Sequence, residues 1–284
     1  MTAQSGSTHN TQDMRNKNLN EQLNKGATES AKEDLTDGLD EGWDAQWQAV
    51  NAGRAALYRW FADMFARELT TAQLEELQAR YAAMHDIFIG MGLEAQSSRL
   101  QKAINNLKVI VENERALELA ADFAQIFLLS GQQSAPPYAS YYIEADQMLY
   151  GKPAQQMAQF LKSHDLDLHP DFREPKDHIS VYLQVMQVWI NATLEVQAEG
   201  EQQEHKQAQQ QDQKQKQPNI TAEQRQADIA NRQAEFLDTA LLNWLSKFSA
   251  RCQQIGVKTD VYPALTELLV GFVTEDRQAL AELR

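Results

Sequence analysis

Apolar positions along this chain recur with the period of an α-helix. Leu57, Trp60, Phe61, Met64 and Phe65 fall at i, i+3, i+4, i+7 and i+8 and draw one apolar stripe. Leu117, Ala120, Ala121, Ala124, Phe127 and Leu128 repeat it, and Leu119, Phe123 and Ile126 widen it, so this helix is expected to be buried on most sides. Ile179–Ile190 is apolar nearly all round. Its composition would suit a strand, but its length favours a central helix. Leu237, Leu241, Trp244, Leu245, Phe248 and Cys252 follow at helical spacing, then Tyr262, Leu265, Leu268, Leu269 and Phe272. No stretch sustains the period-two alternation of strands joined by hairpin turns. The fold class is all-α, and aromatics on these stripes are expected in the core, where they bury the most surface.

Two polar blocks interrupt the pattern. Residues 1–40 hold few large apolar side chains and are expected to be a disordered tail, because burial cannot offset the entropy of ordering them. In 197–217, ten of 21 residues are glutamine. Pro218 ends that block, and TAEQRQADIANRQ follows with no evident apolar face. The reading is a solvated linker or a protruding helical extension.

Composition narrows the partners. Forty acids against 26 bases leave a formal charge of −14, which opposes the phosphate-counterion displacement that drives non-specific nucleic-acid binding. The one cysteine, Cys252, sits among Leu245, Phe248 and Ile255 and reads as a small buried apolar residue. The N-terminal stretch MTAQSGSTHNTQDMRNKN has no apolar core of signal-peptide length, and no run suits a bilayer span. A cytoplasmic location without membrane insertion is expected.

The familiar phosphate-loop, dinucleotide, nucleophile-elbow and zincin motifs are missing. The densest set of candidate ligands is His164, Asp165, Asp167, His169, Asp171, Asp177 and His178. Its spacing matches none of the usual zinc patterns, so no metal is expected. Two segments stand out. In "EPKDHI" (Glu174–Ile179), Pro175 suits the first position of a helix, and Glu174, Asp177 and Asp171 would face the positive end of its dipole. That reading leaves His178 without a role. In "SAPPYASYY" (Ser134–Tyr142), two prolines stiffen a turn after a helix that Gly131 would stop. Its tyrosines pack on the core or form a peptide-binding ledge.

The run "ERALELAADFAQIFLLSGQQSAPPYASYY" (Glu114–Tyr142), followed about thirty residues later by "EPKDHISVYLQV" (Glu174–Val185), resembles the TorD/DmsD family of molybdoenzyme-specific chaperones. "LYRWFADMFARELT" (Leu57–Thr70) and "LLNWLSKFSARCQQ" (Leu241–Gln254) extend the resemblance over roughly residues 45–284, apart from the Gln-rich block. The tail is longer than is usual in the family, and 197–230 looks like an insertion.

The resemblance implies one helical globule of about ten helices in two halves, 41–170 and 179–284, joined by a hinge at 171–178. It would be a monomer or a domain-swapped homodimer. The implied partners are apo trimethylamine-N-oxide reductase and its twin-arginine signal peptide. Binding would keep the apoenzyme competent for molybdenum cofactor and withhold export until insertion. The residues carried over for partner binding are Glu174, Pro175, Asp177 and His178 at the hinge, with Pro137, Tyr138, Ser140 and Tyr142 on a neighbouring surface. No catalytic residue and no cofactor is expected; weak guanine-nucleotide binding is associated with the family, although no phosphate loop is visible.

The alternative is a nucleotide- or metal-dependent hydrolase using Asp177 and His178 as an acid–base pair. Adjacent residues on a helix diverge by about 100°, which counts against such a dyad. On the chaperone reading, Asp177→Ala or His178→Ala is expected to impair client maturation with the fold intact.

Overall fold

The computed structural model describes residues 45–129, 133–169, 172–207 and 222–282. The tail 1–40, Gly131, Asp171 and the end of the Gln-rich block at 208–221 lie outside the described residues. The helices are α1 (Ala45–Ala66), α2 (Thr71–Gly90), α3 (Glu94–Asn106), α4 (Arg115–Phe123), α5 (Ala139–Ile143), α6 (Lys152–Ser163), α7 (Ile179–Gln207), α8 (Ala222–Phe236), α9 (Asn243–Cys252) and α10 (Val261–Glu282). Among the described residues there is no strand, and the all-α expectation holds.

Local chemistry sets several boundaries. Thr70 and Gln73 form a reciprocal capping box at the start of α2: the Gln73 N–H donates to Thr70 Oγ1 (3.3 Å) and the Thr70 N–H to Gln73 Oε1 (3.0 Å). The end of α2 is a Schellman turn. Leu93 N–H donates to Phe88 O (2.9 Å) and Gly92 N–H to Ile89 O (2.9 Å), and Gly92 takes the positive φ of 77° that such a turn requires. Leu93 is buried, completing the apolar contact of the motif.

The longest packing runs along α1 and α7, while α10 lies against α3, α8 and α9. The core is continuous across residues 171–178. Phe61 of α1 stacks on Phe272 of α10 at 5.3 Å, and Phe65 meets Phe127 and Phe248 edge-on. Each buried ring of this size contributes about 1.5–3 kcal/mol by leaving water. Buried polar groups cross the same core: Arg54 forms a two-point ion pair with Asp276 (2.5 and 3.0 Å), Tyr58 Oη–H donates to Asp276 Oδ2 (2.7 Å), and Arg54 also reaches Gln233 of α8 (2.9 Å).

Two expectations change here. The helix of Leu119 is not buried on most sides. Leu119, Phe123, Ile126 and Phe127 face the core, whereas Leu117 and Leu128 are 70% and 58% exposed. Leu117 and Leu119 sit about 200° apart on a helix, so the aromatic-bearing side took the core and the other was left outside. Nor does the segment after Pro218 lack an apolar face. Ile229, Ala230 and Ala234 of α8 are buried, and short side chains let α8 lie close to α10. The helices read at Leu57–Phe65, Ile179–Ile190, Leu237–Cys252 and Tyr262–Phe272 form as expected, and Cys252 is buried.

Two helices end in π-turns, Ala124–Leu128 after α4 and Leu237–Leu242 before α9. In the first, Leu129 N–H donates to Ala124 O (3.1 Å), and Ile126 O is left to accept from Ala135 N–H (2.6 Å). The widened turn thereby anchors the proline-rich segment to the end of the buried helix.

Candidate functional site

The two unusual sequence segments meet. Pro137–Ser140 and Asp177–Ile179 run antiparallel for one bridge, between Tyr138 and His178. Ala139 N–H donates to Asp177 O (3.0 Å), and Ile179 N–H to Pro137 O (2.8 Å). Pro137 carries no N–H, so its contribution is the carbonyl. Arg251 of α9 steadies the segment from behind: its Nε donates to Ser134 O (2.6 Å), and its guanidinium lies 5.4 Å from the Tyr141 ring centre.

Side chains reinforce the bridge. Asp177 is wholly buried, and its Oδ2 accepts from both the N–H (2.8 Å) and the Oγ–H (2.5 Å) of Ser140 at the start of α5. Its Oδ1 is buried without a partner. Hydrogen bonds to a charged acceptor are worth about 1.5–3 kcal/mol each, so this fastening is strong relative to its size. Ser140 Oγ also accepts from Gly151 N–H (3.1 Å), tying in the chain that follows α5.

His178 closes the other side. Its Nδ1 accepts from Ser180 N–H (3.2 Å) and lies 2.6 Å from Ser180 Oγ, so the imidazole serves as the N-terminal cap of α7. Nδ1 is therefore unprotonated and the ring proton resides on Nε2. Burial pushes the imidazole down to about 3, because a charged ring would lose its hydration there. Tyr138 and Phe172 pack edge-on against the ring at 5.3 and 5.8 Å.

These contacts correct where the helix starts within EPKDHI and which residue caps it. Pro175 lies four residues before α7, in a turn where Pro175 O accepts His178 N–H (3.0 Å). The cap falls to His178, the residue left without a role. A neutral imidazole offers an acceptor lone pair as a carboxylate does, without carrying buried charge. Ser180 was missed in sequence; a serine two residues beyond a histidine at a helix start is its one signal. Burial of Asp177 and His178 also revises the expectation that alanine at either position leaves the fold intact.

The remaining site residues divide. Tyr138 Oη–H donates to Glu174 Oε2 (2.6 Å), and burial, then this carboxylate, push the phenol upward. Glu174 is exposed, while Pro137, Tyr138, Ser140 and Pro175 are buried. Tyr142 points away from the bridge, stacked on Trp244 of α9 at 5.7 Å and 17° and edge-on to Phe248. Seven of the eight positions thus converge on one clasp, and Tyr142 belongs to the core beside it. Among the described residues, no three His, Cys, Asp or Glu side chains gather as a metal site.

Residues 92–250, more than half of the chain, match the family described as nitrate reductase delta subunit. The chain belongs to that family, and within it to the TorD chaperones. It is 57% identical over 236 residues to Chaperone protein TorD of Psychrobacter sp. (strain PRwf-1), covering 83% of this chain and 95% of that protein. The protein of the same name from Actinobacillus pleuropneumoniae serotype 7 (strain AP76) is 32% identical over 224 residues, covering 78% and 94%. That from Vibrio atlanticus (strain LGP32) is 30% identical over 238 residues, covering 82% and 97%. No solved structure matches.

Proposed function

We propose that this chain is a cytoplasmic chaperone for a molybdoenzyme, trimethylamine-N-oxide reductase. It binds the apoenzyme and its twin-arginine signal peptide, so that molybdenum cofactor enters before export. The observation that carries this reading is the 57% identity, over 95% of its length, to a protein named as a TorD chaperone.

The clasp supports a binding role. Asp177 and His178 are neighbours in sequence, but the carboxylate is engaged by Ser140 and the imidazole by Ser180, and both are buried. An acid–base pair needs a common substrate within hydrogen-bond reach. These two side chains instead hold two segments together and so fix the surface around them. The protein acts by binding, without turnover. Among the described residues no helix is long and apolar enough to cross a membrane.

Calorimetric titration of the full chain with the reductase in apo and cofactor-loaded forms tests the proposal. Apoenzyme is expected to bind at least tenfold more tightly. Equal affinity for the two forms, or no binding to either, would overturn it.

A further inference from the structure

The buried clasp leaves open which atoms a polypeptide partner touches, since Asp177, His178 and Ser140 are out of reach while the clasp is closed. The adjacent stretch from the last residue of α5 to the start of α6 is different. Within eight residues it exposes Ile143, Met148, Leu149 and Tyr150 by 42, 61, 41 and 65%. Large apolar side chains grouped this closely on a surface mark an interaction site more often than single ones do.

The loop is built, not slack. Gln147 and Tyr150 hold φ of 55° and 61°, a region that side-chain-bearing residues seldom adopt. Its anchors are Lys152 N–H to Glu144 Oε1 (2.7 Å), Met148 N–H to Asp146 Oδ1 (3.3 Å) and Gly151 N–H to Ser140 Oγ (3.1 Å). A Cβ on Gly151 would come within 2.6 Å of Glu144 Oε1, so the close approach requires glycine or a displaced Glu144. Ser140 therefore joins this loop to Asp177 and to the clasp.

Charge selects the occupant. Asp146 and Glu174 are exposed, and among the described residues neither has a Lys or Arg at ion-pair distance. Tyr138 Oη–H donates to Glu174 Oε2 (2.6 Å), and Ser140, two residues on, accepts from Gly151 N–H (3.1 Å), so this carboxylate and the end of the loop are both tied to the Tyr138–Ser140 step of the clasp. Exposed carboxylates with no cation at ion-pair distance, beside exposed apolar side chains, complement a segment carrying cations next to an apolar run.

We infer that the loop Ile143–Tyr150 is the docking surface for the client's signal peptide, a reading that rests on the function proposed above. Met148, Leu149 and Tyr150 take its apolar stretch, and Asp146 and Glu174 take its arginines. The clasp holds the loop in place through Ser140 and makes no contact with the peptide.

Fluorescence anisotropy with a labelled synthetic signal peptide of the client reductase tests this, using the full chain and two variants. Met148→Ser/Leu149→Ser/Tyr150→Ser is expected to lose at least tenfold in affinity. Asp146→Asn/Glu174→Gln, which keeps oxygen acceptors for Met148 N–H and Tyr138 Oη–H, is expected to lose about threefold or more at low salt. The second loss should shrink at high salt as screening takes over. Melting temperatures are expected to stay unchanged, because the altered side chains are exposed.

Unchanged peptide affinity in both variants, with the unaltered chain binding, would overturn the inference and leave the chaperone reading standing. The inference also falls if the variants weaken binding only to apoenzyme lacking its signal peptide. An unaltered chain that binds such apoenzyme but not the peptide removes the inference together with the signal-peptide part of the proposed function.

Discussion

Replacing His178 by asparagine separates its two roles in the clasp. Asparagine is a favoured N-cap, and its side-chain oxygen can accept the Ser180 N–H as Nδ1 does (3.2 Å in the native chain), but it does not titrate. Burial lowers the His178 imidazole from 6.5 to about 3, so between these values the unfolded chain binds a proton that the folded chain refuses. Unfolding free energy must then rise with pH across this window and fall as pH drops below 6.5. Each unit of pH in the window is worth about 1.4 kcal/mol, so His178 alone removes about 2 kcal/mol between pH 7.5 and pH 5. Against a typical total of about 5–15 kcal/mol that loss is measurable. Urea unfolding of both proteins at pH 7.5, 6.5, 5.5 and 5.0, at constant m-value, gives the two pH dependences. At pH 7.5 His178→Asn should be the less stable, having lost ring packing against Tyr138 and Phe172. By pH 5 the gap should have narrowed by about 2 kcal/mol. Glu174 and Asp177, the acids nearest the ring in sequence, remain in both proteins, so the difference isolates the histidine. A gap that does not change with pH would refute the buried neutral imidazole.

Asp177→Ala removes both acceptor contacts to Ser140 and is expected to cost about 2–4 kcal/mol in chemical denaturation, before any effect on client binding; unchanged stability would show that the backbone bridge holds the segments unaided. Arg54→Leu strands the buried Asp276 carboxylate and should cost about 3–5 kcal/mol, whereas Arg54→Leu/Asp276→Leu should recover part of that in a double-mutant cycle. On α4 and its π-turn, Leu117→Gln is expected to change stability by no more than about 0.5 kcal/mol, while Phe127→Ala costs about 3–5 kcal/mol. Equal effects at those two sites, read from melting curves, would contradict the assignment of the buried face.

Helical periodicity was enough to locate α1, α7, α9 and α10, because a one-sided stripe every 3.6 residues has few other uses. It located α4 as well but not the extent of its burial, because apolar residues occupy both faces and only neighbouring helices determine which face is covered. Leu117 and Phe127 look alike in the pattern, yet one is exposed and the other buried. The docking of α8 was illegible for the converse reason. Ile229, Ala230 and Ala234 are too few and too small to mark an apolar face until α10 lies beside them.

The candidate site divides in the same way. The order and residue content of SAPPYASYY and EPKDHI were sufficient for the family resemblance, and the paired prolines of SAPPYASYY announced a stiff turn. That the runs touch was not written in either one. Asp177 and Ser140 are 37 positions apart, and a sequence pattern does not distinguish a carboxylate displayed to a partner from one consumed by a serine inside the fold. Whether His178 presents a charge or caps a helix depends on its desolvation, which is a property of everything packed around it. Fold class, the helices with a strong apolar stripe and the family resemblance were therefore legible in the chain alone, since they follow from local periodicity and residue identity. Which polar groups are buried, and hence which hold the protein together and which remain free to meet another, was decided only when distant segments closed over them.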